Sequence, residues 1–145
     1  MNLVIEKSLT AILCIAAICS HCNAGNFVEV AVVKDKRINE SSGLAISYAN
    51  PNAVWMHNDS GDTPRLFLVG LDGETRAVLE IAHVAANDWE DLCSFQMDGD
   101  SWLLIGDVGD NLTRRGNGSG HPACKLYLVK EPVISREPDS AIGKR

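Results

Sequence analysis

An all-β fold of about two four-stranded antiparallel blades is what this sequence predicts. Three observations predict it: short apolar runs with no sustained helical period, turn formers between them, and a later stretch that repeats the pattern of an earlier one. At 145 residues, 46% hydrophobic and 22% charged, the chain has material for one globular domain at most.

Taken in order, Phe27 to Val33 reads as the outer strand of a blade finished from elsewhere, within a segment, 25–38, that otherwise serves as a linker. Gly43 to Tyr48 is the next apolar run, closed by Asn50-Pro51-Asn52. Ala53 to His57 follows and ends in Asn58-Asp59-Ser60-Gly61-Asp62. Arg65 to Leu71 leads through Asp72-Gly73 into Thr75 to Ile81. Asp-Gly between two such runs is a hairpin signal, because both turn positions tolerate positive φ. Four short strands joined by tight turns make one antiparallel meander, assigned to residues 39–87.

The pattern then starts again over residues 88–145. The offset that carries Leu44 to Leu92 also carries Glu40 to Asp88, Asp59 to Asp107, Gly61 to Gly109 and Asp62 to Asp110. A longer offset carries Arg65-Leu66-Phe67-Leu68-Val69 onto Lys125-Leu126-Tyr127-Leu128-Val129, so the second copy holds an inserted loop, 112–123. Four-stranded units repeating at about 40–50 residues are the mark of β-propeller blades. The segment after Val129 carries Pro132 and Pro138 and makes a weak fourth strand. Two copies are fewer than a closed ring takes. The expectation is therefore an incomplete propeller, with further blades supplied by a longer chain or another subunit.

Leu9 to Cys19 is uncharged and apolar, and Ser20-His21-Cys22-Asn23-Ala24 places small residues suitably for cleavage after Ala24. The run is shorter than the about 20 residues a spanning helix needs. Residues 1–24 therefore read as a signal peptide, with an uncleaved or lipid anchor as the alternative. The remainder is expected to be secreted, periplasmic or extracellular, with no membrane span. Of five cysteines, Cys93 and Cys124 then remain, as a disulfide or as two separate buried thiols. A net charge of -6 without a basic stripe argues against nucleic acid.

Antiparallel strands put the start of the first strand and the end of the second at one end of each blade. Glu40, Asn58, Asp59 and Asp62 gather there in the first copy, and Asp88, Trp89, Glu90, Asp107 and Asp110 in the second. Converging carboxylates repel unless something neutralises them, and Ca2+ takes six to eight oxygen ligands of this kind. Asp59, Asp62, Asp88, Glu90, Asp107 and Asp110 are the candidate metal ligands, no loop having EF-hand spacing. The plainer alternative is that each Asp serves its own turn. Glu40, Asn58 and Trp89 are candidate ligand contacts, Trp89 by stacking, and Arg114 and Arg115 of the inserted loop could hold an anion. His57, His83 and His121 lack zinc spacing. Ser41, Ser42 and Ser60 lie in no nucleophile-elbow motif. Asn39, Asn58, Asn111 and Asn117 each begin a glycosylation sequon.

Glu40-Ser-Ser-Gly-Leu-Ala45, His57-Asn-Asp-Ser-Gly61, Asp88-Trp-Glu-Asp-Leu92 and Gly106-Asp-Val-Gly-Asp-Asn111 resemble the motifs of a group of secreted bacterial β-propeller proteins. The chain is more distantly similar to phytase-like (esterase-like) propellers. The resemblance covers about residues 39 to 132 and implies the fold more than any activity. Three functions remain open. One is an exported protein that binds Ca2+, a small polar molecule or an extracellular partner on its acidic face. Another is a Ca2+-assisted hydrolase of phosphoesters, esters or lactones, with Glu90 or Asp107 activating water. The third is a truncated fragment without a complete site.

Overall fold

The computed structural model of the chain describes residues 27–111, 113, 115 and 123–135. The expected signal peptide, Arg114, His121, the Asn117 sequon and most of the inserted loop lie outside the described residues.

Seven strands form two antiparallel sheets. The first contains β1 (Ser41–Ile46), β2 (Ala53–Asn58), β3 (Arg65–Gly70) and β4 (Thr75–Glu80), side by side in that order. The second contains β5 (Trp89–Met97), β6 (Asp100–Asp107) and β7 (Lys125–Lys130), also in chain order. The described residues include no helix, hence none long and apolar enough to cross a membrane. The sheets are open ended and do not close into a ring among these residues.

Turn chemistry sets the hairpins. Asp98 and Gly99 join β5 to β6 with φ of 54° and 83°, the two positive values that a tight turn between right-twisted strands requires. The β3–β4 connection is wider. Only Gly73 is positive there, and the Glu74 N–H donates to Asp72 Oδ1 at 3.1 Å. Gly73 also lies against the Val32 carbonyl, leaving no room for a Cβ.

Side chains alternate across each strand, so register decides which of them share a face. Ala45, Trp55, Leu68 and Ala77 stand opposite one another across the first sheet. Their face packs against Trp89, Leu92, Leu103 and Ile105 of the second, with Tyr127 and Val129 alongside. Trp55 and Trp89 are the largest fully buried side chains. Each large apolar side chain buried this way stabilises the fold by about 1.5–3 kcal/mol. On the far side of the first sheet, Met56, Phe67 and Val69 are covered by Ile38. The Arg37 and Arg65 guanidinium groups lie over the Phe67 ring at 5.4 Å and 4.9 Å.

One buried carboxylate ties the sheets together. Glu131, just past β7, is 5% exposed and accepts from Trp55 Nε1 at 2.8 Å, from the Tyr48 and Ala49 N–H groups at 3.1 Å each, and from Ser47 Oγ and Asn50 Nδ2. Asn50 adds bonds to the Pro132 carbonyl and the Ile134 N–H. The segment after β7 is thereby fastened to the β1–β2 loop.

Two expectations are not met among the described residues. Phe27 to Val33 forms no strand. Its large side chains are exposed, and the neighbouring Lys34 N–H makes a single backbone bond to the sheet, to Gly73 O at 3.1 Å. An outer strand needs a ladder of such bonds. Cys93 and Cys124 are free and exposed, forming neither a disulfide nor a pair of buried thiols. Cys93 pairs with Leu104, whereas Lys125, next to Cys124, pairs with Asp107 from the other side of β6. At about 3.3 Å per residue and about 4.8 Å per strand, the two α-carbons stand well beyond the about 7 Å that a disulfide tolerates.

Candidate functional site

The acidic end of the sheets is built around two β-bulges. Ser41 pairs with Asn58 and Gly43 with His57, so Ser42 is the extra residue of β1. Trp89 pairs with Asp107 and Asp91 with Gly106, so Glu90 is the extra residue of β5. A bulge turns a side chain out of strict alternation. At β5 it leaves Trp89 in the core and brings Glu90 beside Asp88.

Asp59, Asp88 and Glu90 come together, their nearest ligand oxygens all within 4.8 Å of one another. Asp59 is held where the chain leaves β2, its N–H donating to Glu40 O at 2.9 Å. Asp88 is held at both ends of its peptide. Its N–H donates to Asp107 Oδ1 at 3.0 Å, and its carbonyl accepts from the Gly109 N–H at 3.1 Å. Gly109 provides the space: a Cβ there would stand 2.5 Å from both Asp88 Cγ and Glu90 Oε1.

Crowding shows in the acidities. Burial, a hydrogen bond with Asp59 and the Asp59 charge raise the Asp88 pKa, against an opposing pull from Arg115. Burial and then the charges of Asp59 and Asp88 raise Glu90, with His57 opposing. Asp88 Oδ1 is buried and receives no hydrogen bond.

Asp107 sits beside this cluster but is chemically committed. It is fully buried and accepts from Asn87 Nδ2 at 2.7 Å, the Asp88 N–H, and Arg115 Nη2 at 2.5 Å. Burial alone would raise its pKa, yet the bonds from Asn87, Arg115 and Asp88 together lower it. With its oxygens used in this way, Asp107 is poorly placed to bind a metal or activate water. In the first sheet a like bond is made by Asn58, not by Asp59, which the sequence register sets against Asp107. Asn58 Oδ1 accepts from the Glu40 N–H at 3.3 Å, as Asp107 does from Asp88.

Comparison with protein-family models, curated proteins and solved structures finds no match to this chain.

The remaining expected site residues fall outside the cluster. Asp62 accepts from Asn58 Nδ2 at 2.8 Å and pairs with Arg65 at 2.7 Å. Burial pushes its pKa up, but Arg65, the Thr63 N–H and Asn58 bring it below the usual value. Asn58 is buried and spends its amide on the Arg37 carbonyl and Asp62, which also removes its sequon from reach. Asp110 accepts from the Arg115 N–H at 3.0 Å and is not part of the triad. Glu40 is exposed and lines a separate cleft of about 300 Å³ with Arg37, Asp62 and Arg65. Trp89 is 1% exposed, edge-on to His57 with centroids 5.6 Å apart, and cannot stack on a ligand. Arg115 fastens the inserted loop, bonding Asp107, the Gly109 carbonyl and the Ala123 carbonyl.

No serine nucleophile is prepared here. His57 Nδ1 lies 2.8 Å from the Asn58 carbonyl, which can only accept, so Nδ1 carries a hydrogen and donates it there. Ser42 Oγ, 3.4 Å from that nitrogen, instead donates to Trp89 O at 2.7 Å.

Proposed function

We propose that this chain is an exported β-propeller-type protein that binds a divalent cation, Ca2+ first, through Asp59, Asp88 and Glu90. The observation that carries the reading is the approach of three carboxylates from two separate loops to within 4.8 Å. Like charges at that spacing disfavour the folded state until a proton or a cation joins them. The glycine cradle at Gly109 and the unsatisfied Asp88 Oδ1 add support. Three carboxylates leave coordination positions of Ca2+ open to water or to the oxygens of a small polar ligand. The matched bonds of Asn58 to Glu40 and Asp107 to Asp88 support the blade-repeat reading. In the hydrolase alternative Glu90 is the remaining water-activating group, and its raised pKa is what speaks for that role.

Thermal melting of the chain in EDTA, Mg2+ and Ca2+ tests the proposal. Ca2+ at a hundredfold over Kd should stabilise by about 2.7 kcal/mol, and Asp88→Asn should lose that gain. A melting temperature indifferent to Ca2+ would remove both the binding and the hydrolase readings. If Ca2+ stabilises, chromogenic phosphate and ester substrates separate the two.

A further inference from the structure

The outer edges of the two sheets carry complementary charge. β4 and β7 each end their sheet, opposite β1 and β5, and no backbone bond to their outer edges exists among the described residues. An unpaired edge is a template for another strand. β7 presents Leu126 and Leu128, 66% and 48% exposed, between lysines at both ends. Lys130 is paired with Asp100 at 2.7 Å. Lys125 and, at the end of β4, Glu80 are both exposed and enter no ion pair among the described residues.

The chain contains a template for what β7 would pair with. β3 pairs with β4 by setting Arg65 opposite Glu80, Leu66 opposite Leu79, Phe67 opposite Val78 and Leu68 opposite Ala77. β7 carries the same order of side-chain types: Lys125, Leu126, Tyr127, Leu128. We propose that β7 of one copy pairs antiparallel with the outer edge of β4 of a second copy, Lys125 opposite Glu80 and Leu126 beside Leu79.

Charge favours this pairing over one between two β7 edges. Two β7 edges laid antiparallel would set Lys125 against Lys130, whereas β7 on β4 sets Lys125 against Glu80. Like charges directly opposite are unfavourable, and opposite charges favourable. Each copy offers one β4 and one β7, so the contact joins unlike edges and either closes as a reciprocal dimer or ring or continues as a chain of copies.

Sedimentation velocity of the full chain, as recovered from the expressing cell with its N-terminus read by mass spectrometry, tests this. Association should rise with concentration. Carbodiimide cross-linking of mixed light and heavy chains should join Lys125 to Glu80 between copies. Lys125→Glu and Glu80→Lys should each weaken association by about twofold to thirtyfold, the cost of replacing an opposite pair by opposed like charges. Mixing the two variants should restore it, since each then meets its opposite. A chain that stays monomeric overturns the proposal, as does association that ignores both substitutions. So does slow exchange, in the monomer, of the β7 amides that face away from β6, which would mean that the chain covers its own edge.

Discussion

The indole N–H of Trp55, in β2, donates to Glu131 Oε1 across the two sheets at 2.8 Å. Because the same carboxylate also serves Ser47, Tyr48, Ala49 and Asn50, its removal orphans several donors at once. Glu131→Ala should cost about 2–4 kcal/mol in urea unfolding followed by tryptophan fluorescence. Glu131→Gln should cost less, since its amide keeps one acceptor while turning an NH2 toward the donors. A loss below about 0.5 kcal/mol for the alanine variant would mean that the clamp is dispensable.

Arg115 and Asp107 form a buried ion pair, with 8% and 0% of their side chains exposed. Arg115→Ala leaves the carboxylate buried with its strongest partner gone, a loss of about 3 kcal/mol at neutral pH. The Asp107 pKa is lowered on folding, so its contribution is present above the unfolded value of about 3.9 and fades as pH falls through the lower folded value. The penalty of Arg115→Ala should therefore shrink in acid. Asp107→Asn should lack that part of the acid slope altogether, as pH-dependent denaturation curves would reveal.

Asp88 and Glu90 carry the opposite sign. Their pKa values are raised on folding, so they favour the folded chain at pH below their unfolded values, and this is lost as pH rises through the folded ones. At neutral pH in EDTA, Asp88→Asn and Glu90→Gln should each raise the melting temperature by a few degrees. The gain should vanish in acid and reverse in saturating Ca2+, where the wild-type chain becomes the more stable. Variants that destabilise in EDTA would contradict the crowding of the triad.

At Gly43 a Cβ would overlap the ring of fully buried His57. Gly43→Ala should cost about 1–3 kcal/mol. In a His57→Ala background most of that cost should disappear, because the colliding ring is gone. An equal cost in both backgrounds would place the strain elsewhere.

Cys93 and Cys124 should both label with a thiol reagent in the native chain, mapped by peptide mass. Reductant should leave the melting temperature unchanged. Protection of both thiols until reduction would restore the disulfide.

The four strands of the first sheet and β7 were legible in the sequence to within a few residues, because alternation and turn formers are local signals. The gathering of acidic loops at one end was legible too, since antiparallel strands return to the same end. Which acids meet was not. Glu90 depends on a bulge that no residue in its neighbourhood announces, and a one-residue difference in register makes Asn58 the partner of Asp107 in role. The role of Glu131 is silent in the sequence, because a lone Glu before Pro132 carries no pattern. Its donors lie more than seventy residues earlier in the chain.

By itself, the sequence determined an all-β chain with its hairpins and its acidic loops, through preferences that act between near neighbours. The tertiary structure decided which groups lose water and what they find there. Trp89 went to the core rather than to a ligand, Asp107 to Arg115 rather than to a metal, and Asp59, Asp88 and Glu90 to one another. Desolvation and pairing depend on what the second sheet brings against the first, and that is a property of packing across the chain.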